Sequence, residues 1–228
     1  MKLKLGMVGG GRGAFIGNVH RIASRIDGRW ELVAAALSSD PDKAHVSARD
    51  LGIERSYGSY EEMAVAEAAR PDGIDAVAIV TPNHMHAAPA IAFLRAGIHV
   101  ICDKPLAATP EDAETIAEAV RHSGKHFILT HNYSGYPLIR QARDMVARGD
   151  IGTLRLVHVE YAQDWLAEAP APDNKQADWR TDPARAGGGA IGDIGTHAFQ
   201  LACFVTGQKV TRLAADLTSF VDGRQVDD

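Results

Sequence analysis

The chain has 228 residues, a formal charge of −5, 46% hydrophobic and 23% charged residues. That is the profile of a globular protein with room for one large or two small domains. Acids and bases are interspersed, without the basic footprint of a nucleic-acid binder, and no run approaches the ~20 apolar residues of a membrane span. Two cysteines, Cys102 and Cys203, are too few for a disulfide framework. The short apolar start, MKLKLGMVGGG, is no signal peptide, so a cytoplasmic protein without nucleic-acid or membrane partners is expected.

Strand-like and helix-like segments alternate through the first half. Apolar, β-rich runs at Leu3–Val8, Glu31–Leu37, Ile74–Thr81, Ile98–Cys102 and Phe127–Thr130 read as strands. Helical spacing occupies Pro41–Leu51, Tyr60–Ala69, Met85–Ala96 and Pro110–His122. Pro41 and Pro110 suit first helical turns, and Gly97 and Gly124 suit helix stops. Strands apolar on both faces and separated by helices predict a doubly wound parallel sheet, an α/β fold. After about Gly149 the pattern changes. Thr153–Tyr161 and Val210–Val221 alternate like half-exposed strands, with a loop rich in Ala, Pro and Asp through Pro183. A glycine-rich lead-in, GGGAIGDIGTHAFQLACFVTG, then opens a helix that Gly207 should end. This second region reads as α+β, and two strands make a poor sheet by themselves. The chain is therefore expected to be a truncated version of a longer protein.

Three stretches carry chemistry. In LKLGMVGGGRGAFIG, Gly9, Gly11 and Ala14 form G-x-G-x-x-A between a strand and a helix. The first glycine suits a tight turn, the second a close approach of pyrophosphate, and the small third residue close helix packing. Arg12, Phe15 and Ile16 belong to the same candidate nucleotide site. At the end of the second strand, Leu37 and Ser38 stand where a ribose-binding acid is usual. Ser38 and Ser39 leave room for a 2′-phosphate that Lys43 or Arg12 could neutralise, while Asp40 could equally reach the ribose. NAD and NADP both remain open. In VAIVTPNHMHAAPA, Thr81, Pro82 and Asn83 leave the sheet where ligands of open α/β folds bind. His84 and His86 mimic the HxH of metal-dependent hydrolases, but that chemistry needs a barrel this pattern does not make. No metal is expected, and His86 is expected near the cofactor.

Taken together, GMVGGGRGAFIGNVHR, AIVTPNHMH, AGIHVICDKPLA, ARGDIGTLRLVHVEY and GGGAIGDIGTHAF resemble the Gfo/Idh/MocA family, relatives of glucose–fructose oxidoreductase and inositol dehydrogenase. The resemblance implies a Rossmann dinucleotide-binding domain over 1–131. It also implies a substrate and oligomerisation domain over 132–228 with an open, mostly antiparallel sheet. CDKP is this chain's version of the family's Glu-Lys-Pro, so Lys104 is implied as catalytic, touching both cofactor and substrate. Asp103, shorter than the usual Glu, and Asn132 are implied at the cofactor. An ammonium at a strand's C-terminal end can stabilise a developing alkoxide, which agrees with that role for Lys104.

Asp193 and His197 match the family's D-x-x-x-H, and their i,i+4 spacing predicts one shared helix face. His197 is then placed to take a hydroxyl proton while Asp193 orients its ring. Gln200 stands where many relatives carry an acid, and NYSGYP lacks an arginine common in them. Trp165, Trp179 and Arg180 are candidate substrate contacts, since aromatic faces and a guanidinium fork suit hydroxylated ligands. The implied activity is NAD(P)-dependent hydride transfer from or to a secondary alcohol of a sugar or polyol, in a homo-oligomer joined through the C-terminal sheet. Two alternatives stand: a nicotinamide-dependent glycoside-cleaving relative, and a truncated nucleotide-binding protein without turnover.

Overall fold

The computed structural model describes residues 2–171 and 173–228. Pro172, within the expected loop, lies outside the described residues. The chain divides into two compact units, Met1–Thr130 and His131–Asp228.

In the first unit, six parallel strands form one sheet in the order β3-β2-β1-β4-β5-β6. They are β1 (Leu3–Val8), β2 (Trp30–Ala36), β3 (Arg55–Ser56), β4 (Ala76–Ile79), β5 (His99–Cys102) and β6 (Phe127–Leu129). Helices α1 (Ile16–Arg25), α2 (Pro41–Asp50), α3 (Tyr60–Ala68), α4 (Ala87–Arg95) and α5 (Pro110–Ser123) connect them. The order runs outward in both directions from the β1–β4 pair, so a crevice opens at the C-terminal ends of those two strands. β4 is buried throughout, because apolar clusters cover both faces of the sheet. One cluster includes Met63, Val77 and Phe93; the other includes Leu5, Met7 and Ile53.

Local signals set the helix ends. The side chains of Asp40, Ser59 and Thr109 cap α2, α3 and α5 by accepting from Lys43, Glu62 and Asp112 amides. Pro41 and Pro110 open α2 and α5, and Gly124 closes α5 at φ +63°. Among the strands of the first unit, β3 alone has no counterpart in the sequence patterning. Its two residues are too short for a period, and its place comes from a long-range pair. The Arg55 guanidinium donates to both oxygens of Glu67 at 2.7 and 2.8 Å, and Tyr57 Oη donates to the same carboxylate at 2.6 Å. The Ile74 amide adds a fourth bond at 3.1 Å. Burial pushes the Glu67 carboxyl up, and these donors more than offset it, so its pKa lies below the usual value. Burial and the same hydrogen bond push Tyr57 up to about 12.

The second unit is built on α6 (Pro137–Arg148) packed against α9 (Thr196–Thr206), with short helices α7 (Lys175–Arg180) and α8 (Pro183–Ala186). The sequence patterning does not single out α6, although Pro137 opens it and Gly149 closes it at φ +79°. A π-helical turn, Ile191–Gly195, leads into α9. Among the described residues of this unit there is no strand: 153–161 and 210–220 form no ladder. A strand exists only through a ladder of hydrogen bonds to a neighbouring strand; in these segments the Thr218 carbonyl accepts from the Asp228 amide, but no ladder follows from it. Their apolar side chains stand in the open, with Leu213 81% and Phe220 80% exposed.

Candidate active site

In the first unit the crevice is floored by the turn after β1. Gly9, Gly10 and Gly13 all have φ near +78°, a region other residues avoid. A Cβ on Gly9 would lie 2.9 Å from Thr81 Cγ2, and one on Gly11 would lie 2.7 Å from the Leu37 carbonyl oxygen. Both glycines are therefore required for the turn to pack. The third small residue is not Ala14, as the G-x-G-x-x-A spacing predicts. Arg12, Gly13 and Ala14 lengthen the turn, and α1 begins only at Ile16. Gly17 does the close packing: a Cβ there would lie 2.5 Å from Gly10 Cα. Beneath the turn, buried Arg21 donates from Nη1 to the Gly10 carbonyl at 2.9 Å, and burial lowers its pKa. Sequence reasoning missed both Gly17 and Arg21. The glycine's spacing falls outside the usual fingerprint, and an arginine on α1 reads as a surface residue.

No side chain caps α1 and no acid lies in its first turn, in contrast to α2, α3 and α5. A helix start of that kind suits a diphosphate, so the residues present fit a dinucleotide. Around it, Phe15 is exposed, while Ile16 packs against the core. Ser38 Oγ accepts from the Asp40 amide, and Ser39 is exposed. Asp40 serves as the α2 cap, and its carboxylate is 3.3 Å from Lys43 Nζ. Arg12 Nε donates to Asp50 at 2.5 Å. Both cations expected near a 2′-phosphate therefore already face carboxylates.

At the far side of the crevice, Thr81 Oγ1 donates to the Met85 carbonyl, and buried Asn83 opens the turn before α4. His86 does not present its ring to a ligand. It is fully buried, with Nδ1 2.8 Å from the Pro105 carbonyl oxygen and Nε2 2.9 Å from that of Thr81. Asp103 and Lys104 follow β5 directly. Asp103 Oδ1 accepts from Thr130 Oγ1 at 2.8 Å and lies 3.5 Å from His20 Nε2. Burial pushes this carboxyl up, but His20, Thr130 and the Lys104 charge hold it below its ordinary value. Asp103 is thus tied within its own unit, beside the lysine.

In the second unit, His197 is 6% exposed and sits inside an aromatic cluster. Ring centroids of Tyr133, His131 and Tyr161 lie 4.7, 5.9 and 6.1 Å away. Tyr133 and Tyr161 share a 2.6 Å hydroxyl hydrogen bond, which together with burial pushes Tyr133 up to about 12. No sequence pattern marks this cluster, because Tyr161 and His197 lie far in the chain from His131 and Tyr133. Asn132 opens the short turn before α6. Asp193 lies in the π-helical turn that leads into α9, and His197 in α9 itself. The Asp193 carboxylate is 3.3 Å from Arg180 Nε. Arg180 stacks over Trp179, 4.2 Å from the ring centroid, and lies 5.8 Å from that of Trp165. Trp165, Arg180 and Asp193 line one side of a cavity of about 280 Å³. Gln200 lies on α9, three residues beyond His197, and its Oε1 is buried.

A parallel sheet with its glycine turn at the strand-order reversal defines a dinucleotide-binding type of α/β scaffold. Residues 3–131 match the family described as "Oxidoreductase family, NAD-binding Rossmann fold", and 139–228 match the "GFO/IDH/MocA C-terminal domain". The chain belongs to the Gfo/Idh/MocA family. It is 36% identical to an uncharacterized oxidoreductase, YfiI, from Bacillus subtilis, over 97% of this chain and 58% of that protein. An oxidoreductase structure from Sinorhizobium meliloti is 55% identical with a TM-score of 0.89, covering 100% of this chain and 59% of that one. An inositol dehydrogenase homolog from Azotobacter vinelandii, complexed with NADH and myo-inositol, is 38% identical with a TM-score of 0.82, over 91% and 53%. The chain thus spans little more than half the length of these relatives. Among the described residues, no helix is long and apolar enough to cross a membrane.

Proposed function

We propose that this chain carries out NAD(P)-dependent hydride transfer at a secondary alcohol of a sugar or polyol. The single observation behind this reading is the uncapped, acid-free start of α1 facing the glycine turn, in a chain of this family. The dinucleotide is held by the turn from Gly9 to Ile16, the Ser38–Ser39 rim and the Thr81–Asn83 segment, with Asp103 and Asn132 in supporting positions. A bound nicotinamide would supply the acceptor, or in the reverse direction the donor, for the hydride at the substrate carbon. Lys104 supplies a positive charge to the alkoxide as it develops. His197 takes the hydroxyl proton. Asp193 and Arg180 brace each other next to Trp165 and Trp179, which offer apolar faces to a ring-shaped polyol. The domains are read as 1–131 for the dinucleotide and 132–228 for substrate. In the latter, 153–161 and 210–221, which form no ladder within the chain, are proposed to pair as strands of an open, mostly antiparallel sheet only when copies of the protein come together. A cytoplasmic site of action completes the reading.

Calorimetric titration with NAD and NADP, followed by a panel of polyols and sugars including myo-inositol, tests the proposal. Saturable binding of one dinucleotide and its reduction by a panel member are expected. Absence of binding to either form overturns the reading. Glycoside cleavage without net reduction would instead assign the chain to the cleaving alternative.

The proton step has its own signature. A general base must be deprotonated for alcohol oxidation, so log kcat/KM should rise with unit slope on the acidic limb. His197→Asn is expected to flatten that limb and enlarge the primary deuterium isotope effect. An unchanged limb would move the proton to another group, with Lys104 next in line.

A further inference from the structure

The His86 ring lies between two backbone carbonyls that belong to different parts of the proposed site. One is Thr81's, where β4 ends and the chain packs on Gly9 of the glycine turn. The other is Pro105's, immediately after Lys104. The ring is fully buried and has no path to a ligand. Burial disfavours the charged ring, whereas the Thr81 and Pro105 oxygens and the Asp103 carboxylate favour it.

We infer that His86 is a positioning residue: its ring ties the Thr81 segment to the Lys104 loop and so sets the placement of both the dinucleotide wall and the ammonium. Carbonyls only accept hydrogen bonds, so contacts of 2.8 and 2.9 Å to both are met as hydrogen bonds by a ring with an N–H on each nitrogen, which holds the two loops at the width of one imidazole. An apolar side chain of similar size would leave two buried carbonyls without a donor. The inference rests on the reading of the first unit as a dinucleotide site.

Two substitutions separate the two sides of the ring. In His86→Asn the amide nitrogen stands near the Nδ1 position and reaches toward Pro105; in His86→Gln it stands near Nε2 and reaches toward Thr81. Two readouts on the full chain follow the loops: NADH and NADPH affinity by calorimetry for the Thr81 side, and the ¹³C signal of reductively methylated Lys104 for the other. Lys104→Arg assigns that signal. His86→Asn is expected to keep the Lys104 signal near its wild-type position and weaken the dinucleotide by about tenfold, the scale of one lost buried hydrogen bond. His86→Gln should do the reverse. A parallel fall of both readouts with thermal stability would reduce His86 to ordinary packing and overturn the inference. So would a variant that behaves as wild type in both.

Should neither variant fold, the wild-type ring decides. Long-range ¹H–¹⁵N spectra should show an exchange-protected ring N–H and no titration near about 6.5, the ordinary histidine value. A freely exchanging ring that titrates there removes the tie. If wild type binds neither dinucleotide, the functional reading fails, while the Lys104 signal and the ring spectra still test the tie by themselves.

Discussion

Replacing Lys104 with alanine is expected to lower kcat/KM by at least ~10²-fold while dinucleotide affinity stays within about threefold, the pattern of a lost charge-stabilising group. Lys104 leaves the sheet at the C-terminal end of β5, beside β4. Asp103 fixes the backbone just before it, through the Asp103 amide to the Ile79 carbonyl and the carboxylate to Thr130. The amine is therefore carried on a rigid element, where charge placement counts most. Lys104→Arg keeps the charge but changes its shape and reach, and should recover only part of the loss. Steady-state kinetics beside NADH titration makes the check. Turnover in Lys104→Ala comparable to wild type would take the lysine out of the mechanism.

The second large effect concerns stability. Glu67→Gln is expected to destabilise the first unit by about 3–5 kcal/mol, the range for removing one partner of a buried ion pair. Glu67 has no exposed side-chain surface and Arg55 only 15%, so the guanidinium left behind keeps little water. The pH dependence has a definite sign. The folded carboxyl is held below its unfolded value of about 4.3, so its contribution is present above that pH and lost as pH falls through the folded value. Urea unfolding as a function of pH should show wild-type stability falling on acidification more steeply than that of Glu67→Gln. A variant within about 0.5 kcal/mol of wild type at neutral pH would show the pair to be dispensable.

Both residues mark how far the amino-acid order alone could be read. Lys104 was legible because its neighbours are local: an apolar strand, an acid, the amine and a proline, in the sequence context of a known family. Glu67 was not, because on α3 it is one acid among several, and only contact with Arg55 and Tyr57 distinguishes it. The same division runs through the candidate site. Gly9 and Gly11 sit where the motif places them, since a tight turn is a property of a few consecutive residues. Ala14 does not, because the longer turn delays α1 and hands the close contact to Gly17. Tyr133 and Tyr161, next to His197, had no shared signal to find.

The sequence by itself determined the strand–helix alternation of the first unit, its proline-led helix starts at Pro41 and Pro110, its glycine turn and the position of Lys104 at a strand's end. These depend on hydrophobic period and turn chemistry over neighbouring residues. Tertiary structure decided which distant groups meet: Glu67 with Arg55, His86 with Thr81 and Pro105, and Asp193 with Arg180. It also decided that 153–161 and 210–220 form no ladder, whatever their alternation. Burial and hydrogen-bond pairing are properties of what the fold brings alongside a residue, and an alternating pattern becomes a strand only where another strand supplies its bonds.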